Sequence, residues 1–155
     1  MLLMSRPYNS FIPSSSDNYN KASNGEAYRL YGKAGTSQKN WEDAFATCKK
    51  DGAQLVVVDN EEIYNVTQEM FPQQKYYIAG SEAVSGGNWY WKYGNGDRKN
   101  VNFSNWRRYG TKSAEPNGGT EENCIVQTGT GWNDVGCDGA YPFVCQLPAK
   151  GNGCN

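Results

Sequence analysis

Glu115, Asn117, Glu121 and Glu122 fall within one ten-residue stretch, EPNGGTEENC (115–124), where three acids sit among glycines. Carboxylates a few ångströms apart repel one another and resist ionising together. A loop that gathers them therefore invites three explanations. A hard cation such as calcium takes about six to eight oxygens from carboxylates, amide carbonyls and water. A pair such as Glu115 and Glu122 is also the apparatus of a glycosidase. Finally, Glu, Pro, Asn and Gly can make an ordinary solvated turn, with no chemistry attached. Asn133 and Asp134, in GWNDV (131–135), repeat the same donors shortly afterwards. With Glu115, Asn117 and Glu122 they form an oxygen-only set. Its three carboxylates would leave a bound divalent ion about one unit negative, which suits calcium better than the tight octahedron of magnesium. Taken singly, EPNGG and GWNDVG read as turns. Together, flanked by cysteines and aromatics, they form a far more specific pattern.

The rest of the composition narrows the chemistry. The chain has 155 residues, the length of one domain with a real core. Its formal net charge is −1, and no basic motif marks it for nucleic acid. Histidine is absent, which removes the Ser-His-Asp and Cys-His nucleophile systems and the commonest zinc ligand. Eighteen glycines with eleven tyrosines, five tryptophans and five phenylalanines indicate a loop-rich fold held by large flat side chains.

Cys48, Cys124, Cys137, Cys145 and Cys154 include no C-x-x-C pair, which argues against a zinc ribbon or a thioredoxin-type site. Their spacing reads as two disulfides with one cysteine left over, and hence an oxidising, extracellular setting. Two sequons, Asn65-Val66-Thr67 and Asn102-Phe103-Ser104, are compatible with secretion. The apolar run at the start is too short for a secretory segment. A signal is therefore expected either to have been replaced by a short leader or to lie outside this sequence. No stretch reaches membrane-spanning length. Residues 1–24, rich in Ser, Asn and Tyr, read as a flexible arm, 25–148 as the domain, and 149–155 as a tail carrying Cys154. An intermolecular disulfide through Cys154, and with it a homo-dimer or higher oligomer, stands beside a capped or free thiol.

The elements that must position the acids follow from periodicity. EAYRLYG (26–32) is an opening strand. Asn40 can cap a helix whose Trp41, Ala44, Phe45 and Cys48 share one apolar face. LVVV (55–58) is a buried strand. Asp59 with Glu62 resembles a capping box for a second helix, with Ile63, Val66, Thr67 and Met70 inward, that stops before Pro72. YYIAG (76–80) and NWYWKYG (88–94) are strand-like. From there to residue 123 the chain reads mostly as loop, and CIVQT (124–128), GWNDV (131–135) and YPFVCQ (141–146) close the domain. Two helices, short strands and a very long loop make an α+β fold. A loop of that length in a compact domain is usually functional.

Residues 26–147 resemble the C-type lectin-like domain in its mannose-type subgroup. The likeness rests on Trp41, Ala44 and Cys48 of the W-x-x-A-x-x-x-C helix, YIAG (77–80), SNW (104–106), EPN (115–117), EENC (121–124), WND (132–134) and FVC (143–145). It implies a double-loop α+β fold with small antiparallel sheets and a long calcium-binding loop. The disulfides it implies are Cys48–Cys145 and Cys124–Cys137. The calcium ligands it implies are Glu115, Asn117, Glu122, Asn133 and Asp134, with Pro116 at the position of a cis proline. Asn123, Gly118 and Gly86 depart from the acids of the auxiliary calcium site, so one calcium is expected.

The same resemblance implies the use of those five residues for sugar. The Glu-Pro-Asn order accompanies equatorial vicinal hydroxyls, as in mannose, fucose and N-acetylglucosamine on cell-surface or microbial glycans. An enzyme would need one acid of raised pKa, whereas a bound cation and interleaved asparagines keep both ionised. A lectin-like fold recruited for protein or ice binding is the remaining rival. Such modules often lose the calcium residues, which this chain keeps. The basic residues Arg98, Lys99, Arg107, Arg108 and Lys112 read as a solvated face, and Trp89, Trp91, Trp106 and Trp132 as core.

Overall fold

The computed structural model describes residues 18–82, 88–109, 113–114, 116 and 122–148. Within them the chain is α+β. Strands β1 (Asn20–Lys21) and β2 (Ala27–Tyr31) lead into α1 (Trp41–Lys50), β3 (Gln54–Leu55) and α2 (Glu61–Met70). Then follow β4 (Tyr76–Glu82), β5 (Trp89–Lys92), β6 (Arg98–Asn100), β7 (Arg108–Tyr109) and β8 (Ser113–Ala114). The hairpin β9 (Cys124–Thr128) and β10 (Gly131–Val135) precedes the last strand, β11 (Phe143–Leu147).

Helix α1 forms where the sequence predicts. The Asn40 side chain accepts from the Asp43 N–H at 2.8 Å, and Glu42 and Asp43 sit in the first turn with Lys49 and Lys50 in the last, each sign opposing the helix dipole. Trp41, Ala44, Phe45 and Cys48 are buried together. Helix α2 is capped differently from the sequence expectation. Asn60, not Asp59, accepts from the Ile63 N–H at 2.9 Å, while its own amide donates to Asp59 at 3.1 Å. Two adjacent residues could each cap this helix, and the neighbour's carboxylate is engaged by the one that does.

The ends of the domain are brought together by β2 and β11, antiparallel with Ala27 opposite Leu147 and Tyr31 opposite Phe143. From β11 the main sheet continues through β4 to β5 and β6, and β9 branches from β4 to carry β10. The small antiparallel sheets of the sequence reading are thus joined into one nine-stranded sheet beside a two-stranded one. The junction is a single parallel pairing, Phe143 with Tyr77. LVVV is only partly a strand. Leu55 to Val58 are buried, but Val56 donates to Val144 and accepts from Ala79, while the Val57 N–H goes to the Gln146 side chain at 3.0 Å. The segment is wedged between β11 and β4 and bonds to both, so it cannot follow one ladder.

The expected arm begins to fold before residue 25. Asn20 and Lys21 pair with Tyr28 and Ala27, and Tyr19 is buried with its hydroxyl donating to Asp51 at 2.8 Å. Residues 1–17 and the tail 149–155, including Cys154, lie outside the described residues. Cys48 is bonded to Cys145, tying α1 to β11, and Cys124 to Cys137, closing the mouth of the β9–β10 hairpin.

Candidate functional site

The β9–β10 hairpin is the platform. Its register sets Trp132 opposite Gln127, Asn133 opposite Val126, Asp134 opposite Ile125 and Val135 opposite Cys124. Trp132 is fully buried and donates from its indole to Gln127 at 3.1 Å. Gln127, itself buried, donates to the Thr67 and Tyr76 hydroxyls at 2.7 and 2.8 Å. This polar network, which sequence patterning passes over as one more strand residue, anchors the hairpin to α2 and β4. The neighbours of Trp132 along β10 are then held at a fixed place.

The long segment before the hairpin is less free than its sequence suggests. It contains β6, paired to β5, and the β7–β8 hairpin. Trp132 donates to the Asn105 carbonyl at 2.8 Å and accepts from the Arg107 N–H at 2.9 Å, which bridges Trp106 to Trp132 in parallel. Gly131 makes this approach possible. Its φ is +130°, and a Cβ there would lie 2.7 Å from the Asn105 carbonyl oxygen. Around the bridge, Trp132 meets Trp91 at 5.4 Å, Trp106 at 5.6 Å and Phe103 at 6.1 Å, all edge-to-face. Of the four tryptophans read as core, Trp91 and Trp132 are buried, and Trp89 and Trp106 are half-buried and pack against the core.

The expected site residues divide accordingly. Asn133 is half-buried and Asp134 is 1% exposed, next to each other on β10. Glu122 is half-buried, two residues before Cys124, where β9 begins. Glu115, Asn117 and Glu121 lie outside the described residues, as do Gly118, Gly86 and Lys112; Pro116 is exposed. Arg98 and Lys99 are exposed and Arg107 is half-buried. Glu82, an acid that the sequence pattern did not single out, is buried at the end of β4, and its N–H donates to the Asn123 carbonyl at 2.8 Å. Its only sequence signal is an acid continuing an apolar strand.

Asp134, Glu122 and Asn133 supply oxygen donors only, neither sulfur nor imidazole, and that set fits a hard cation of the calcium type. Among the described residues alone, no group of three or more His, Cys, Asp and Glu could hold a metal. Nor does any described helix have the length and apolarity to cross a membrane.

The family model for the lectin C-type domain matches residues 37–147. The chain is similar to C-type lectin domain family 4 member M of Hylobates lar, 32% identical over 114 residues, covering 72% of this chain and 27% of that protein. It thus spans about a quarter of the length of that relative. In fold it is similar to the carbohydrate-recognition domain of the mouse scavenger receptor C-type lectin, with a TM-score of 0.67, 19% identity, and 86% and 97% of the two chains covered. The herring type II antifreeze protein is comparable, with a TM-score of 0.66, 24% identity, and 86% and 98% covered.

Proposed function

Because the chain belongs to the C-type lectin domain family, whose members are non-enzymatic carbohydrate-binding domains that generally bind calcium, we propose that it binds mannose-type glycans through one calcium ion. What carries this reading is the oxygen-only donor set, ending in the buried Asp134 beside Asn133 on a hairpin closed by Cys124–Cys137. Glu115, Asn117, Glu122, Asn133 and Asp134 would hold the ion and contact the sugar. Bound calcium supplies coordination positions for two vicinal hydroxyls. Each hydroxyl also needs an acceptor and a donor: Glu115 and Glu122 accept, and the amides of Asn117 and Asn133 donate. The Glu115-Pro116-Asn117 order supports mannose, fucose and N-acetylglucosamine over galactose. The substitutions Asn123, Gly118 and Gly86 support a single ion. Two disulfides support a secreted or extracellular location.

A site that grips two hydroxyls holds a monosaccharide weakly, at about millimolar Kd or about −4 kcal/mol. Avidity on a natural surface would come from several copies, worth roughly 10² to 10⁴ when geometry permits. The test is retention on a mannose matrix in calcium, with elution by chelator and by free mannose but not by galactose. Calorimetric titration is expected to count one calcium per chain. Retention through chelation would instead favour the rival use of the same fold for protein or ice binding.

A further inference from the structure

Beyond the calcium site, and independently of it, we propose that the cleft between β5–β6 and the segment 100–106 is a second saccharide site that needs no metal. The cleft has a volume of 490 Å³ and is lined by Asn88, Trp89, Tyr90, Asn100, Asn102 and Ser104, with Val101 and Trp106. Its shape is set by backbone. Tyr90 pairs with Asn100, the Val101 N–H donates to the Trp89 carbonyl at 3.0 Å, and Trp106 is held by its bridge to Trp132. Phe103 packs inward on Trp132, while Asn102 and Ser104 on either side of it are exposed.

Two features of the lining select its ligand. The Trp89 and Trp106 rings stand 5.2 Å apart at 59° and are half-buried, so the parts that reach the cleft offer an apolar edge to the C–H face of a pyranose. The polar groups are amides and hydroxyls, which both donate and accept, as a sugar hydroxyl requires. No charged side chain is among the described lining, which offers a phosphate, carboxylate or cation no counter-charge of its own. A purely apolar ligand would leave the amides unpaired. A neutral polyhydroxylated ring satisfies both halves of the cleft.

That sugar has two possible sources. One is a free glycan. The other is a glycan carried by Asn102 itself, since Asn102-Phe103-Ser104 is a sequon on the cleft rim. Attachment would join the Asn102 amide nitrogen to C1 of N-acetylglucosamine from a lipid-diphosphate-linked oligosaccharide. The lipid diphosphate leaves and the amide gives up one proton.

The test uses the full chain made without glycosylation, isotope-labelled and kept in chelator, titrated with N,N′-diacetylchitobiose. Saturable shifts are expected at the Trp89 and Trp106 indole signals but not at Trp41, whose indole is buried on the Ile78 carbonyl. Trp89→Ala is expected to weaken binding about tenfold, the scale of one aromatic contact. Asn100→Ala, which leaves both tryptophans intact, is expected to weaken it as well. No saturable shift in chelator, or shifts unchanged by both substitutions, would overturn the proposal. Failure of calcium-dependent mannose binding would not. Protein from a secretory host separates the sources: a glycan on Asn102 would block the added chitobiose until Asn102→Gln frees the cleft, whereas a free-glycan site responds in both preparations.

Discussion

At the scale of single residues, Asn133 is where the proposed function separates metal binding from sugar recognition. Its amide offers a carbonyl oxygen to an ion and an N–H to a sugar hydroxyl, whereas aspartate offers only acceptors. Asn133→Asp is therefore expected to keep calcium, read by calorimetry, and to lose mannose retention. A variant that retains mannose would place sugar recognition elsewhere. Asn133 was proposed from the sequence because WND follows EPN and EENC in order. Glu82 was not, since nothing in YYIAGSE says that its end will lie against Asn123. Contacts made across the fold leave no local trace.

At the scale of elements, the bridge between segment 105–107 and β10 holds part of the long loop against the hairpin. Gly131 carries that contact through its positive φ and its lack of a side chain. Gly131→Ala would meet both the strain of that conformation and the Asn105 carbonyl, a cost of roughly 1–3 kcal/mol. The expected outcome is a lower urea midpoint and a redder tryptophan emission as Trp106 leaves Trp132. Wild-type stability and emission would show that the bridge does not constrain the loop. Helix α1 was readable from its cap and its apolar face. The pairings of β6, β7 and β8 were not, because two- and three-residue strands carry too little alternation to be told from loop.

At the scale of the whole molecule, tyrosines as well as disulfides close the domain. The Tyr19 and Tyr31 hydroxyls both donate to Asp51, at 2.8 and 2.6 Å, pinning the first strands to the end of α1. Cys48–Cys145 spans 97 residues, a loop whose closure is worth about 4–5 kcal/mol in the chain-entropy model. Burial pushes Tyr28 and Tyr76 up to about 12, and burial followed by the bond to Asp51 does the same for Tyr31. Burial raises Tyr19 and Tyr77 as well. An unfolded tyrosine loses its proton near pH 10, so in the interval above that the unfolded chain binds fewer protons than the folded one. The stability held by these neutral phenols is complete below about pH 10 and is lost as pH rises through about 12. Melting temperature is expected to fall across that window, with the phenolate absorbance of the buried tyrosines appearing only on unfolding. A flat profile would mean that they ionise freely in the native state.

The sequence alone determined the α+β class, both helices, the closing strands and the ordered short motifs that mark the family. These are local periodicities, caps and short motifs whose physics acts within a few residues. Only the tertiary structure decided that LVVV is wedged between two strands, that residues 19–21 join the fold, and that Gln127 bonds to Thr67 and Tyr76. It also set the half-buried Trp89 and Trp106 beside a cleft. A residue's type fixes what it can bond, but which partner it meets depends on the packing of elements far apart along the chain.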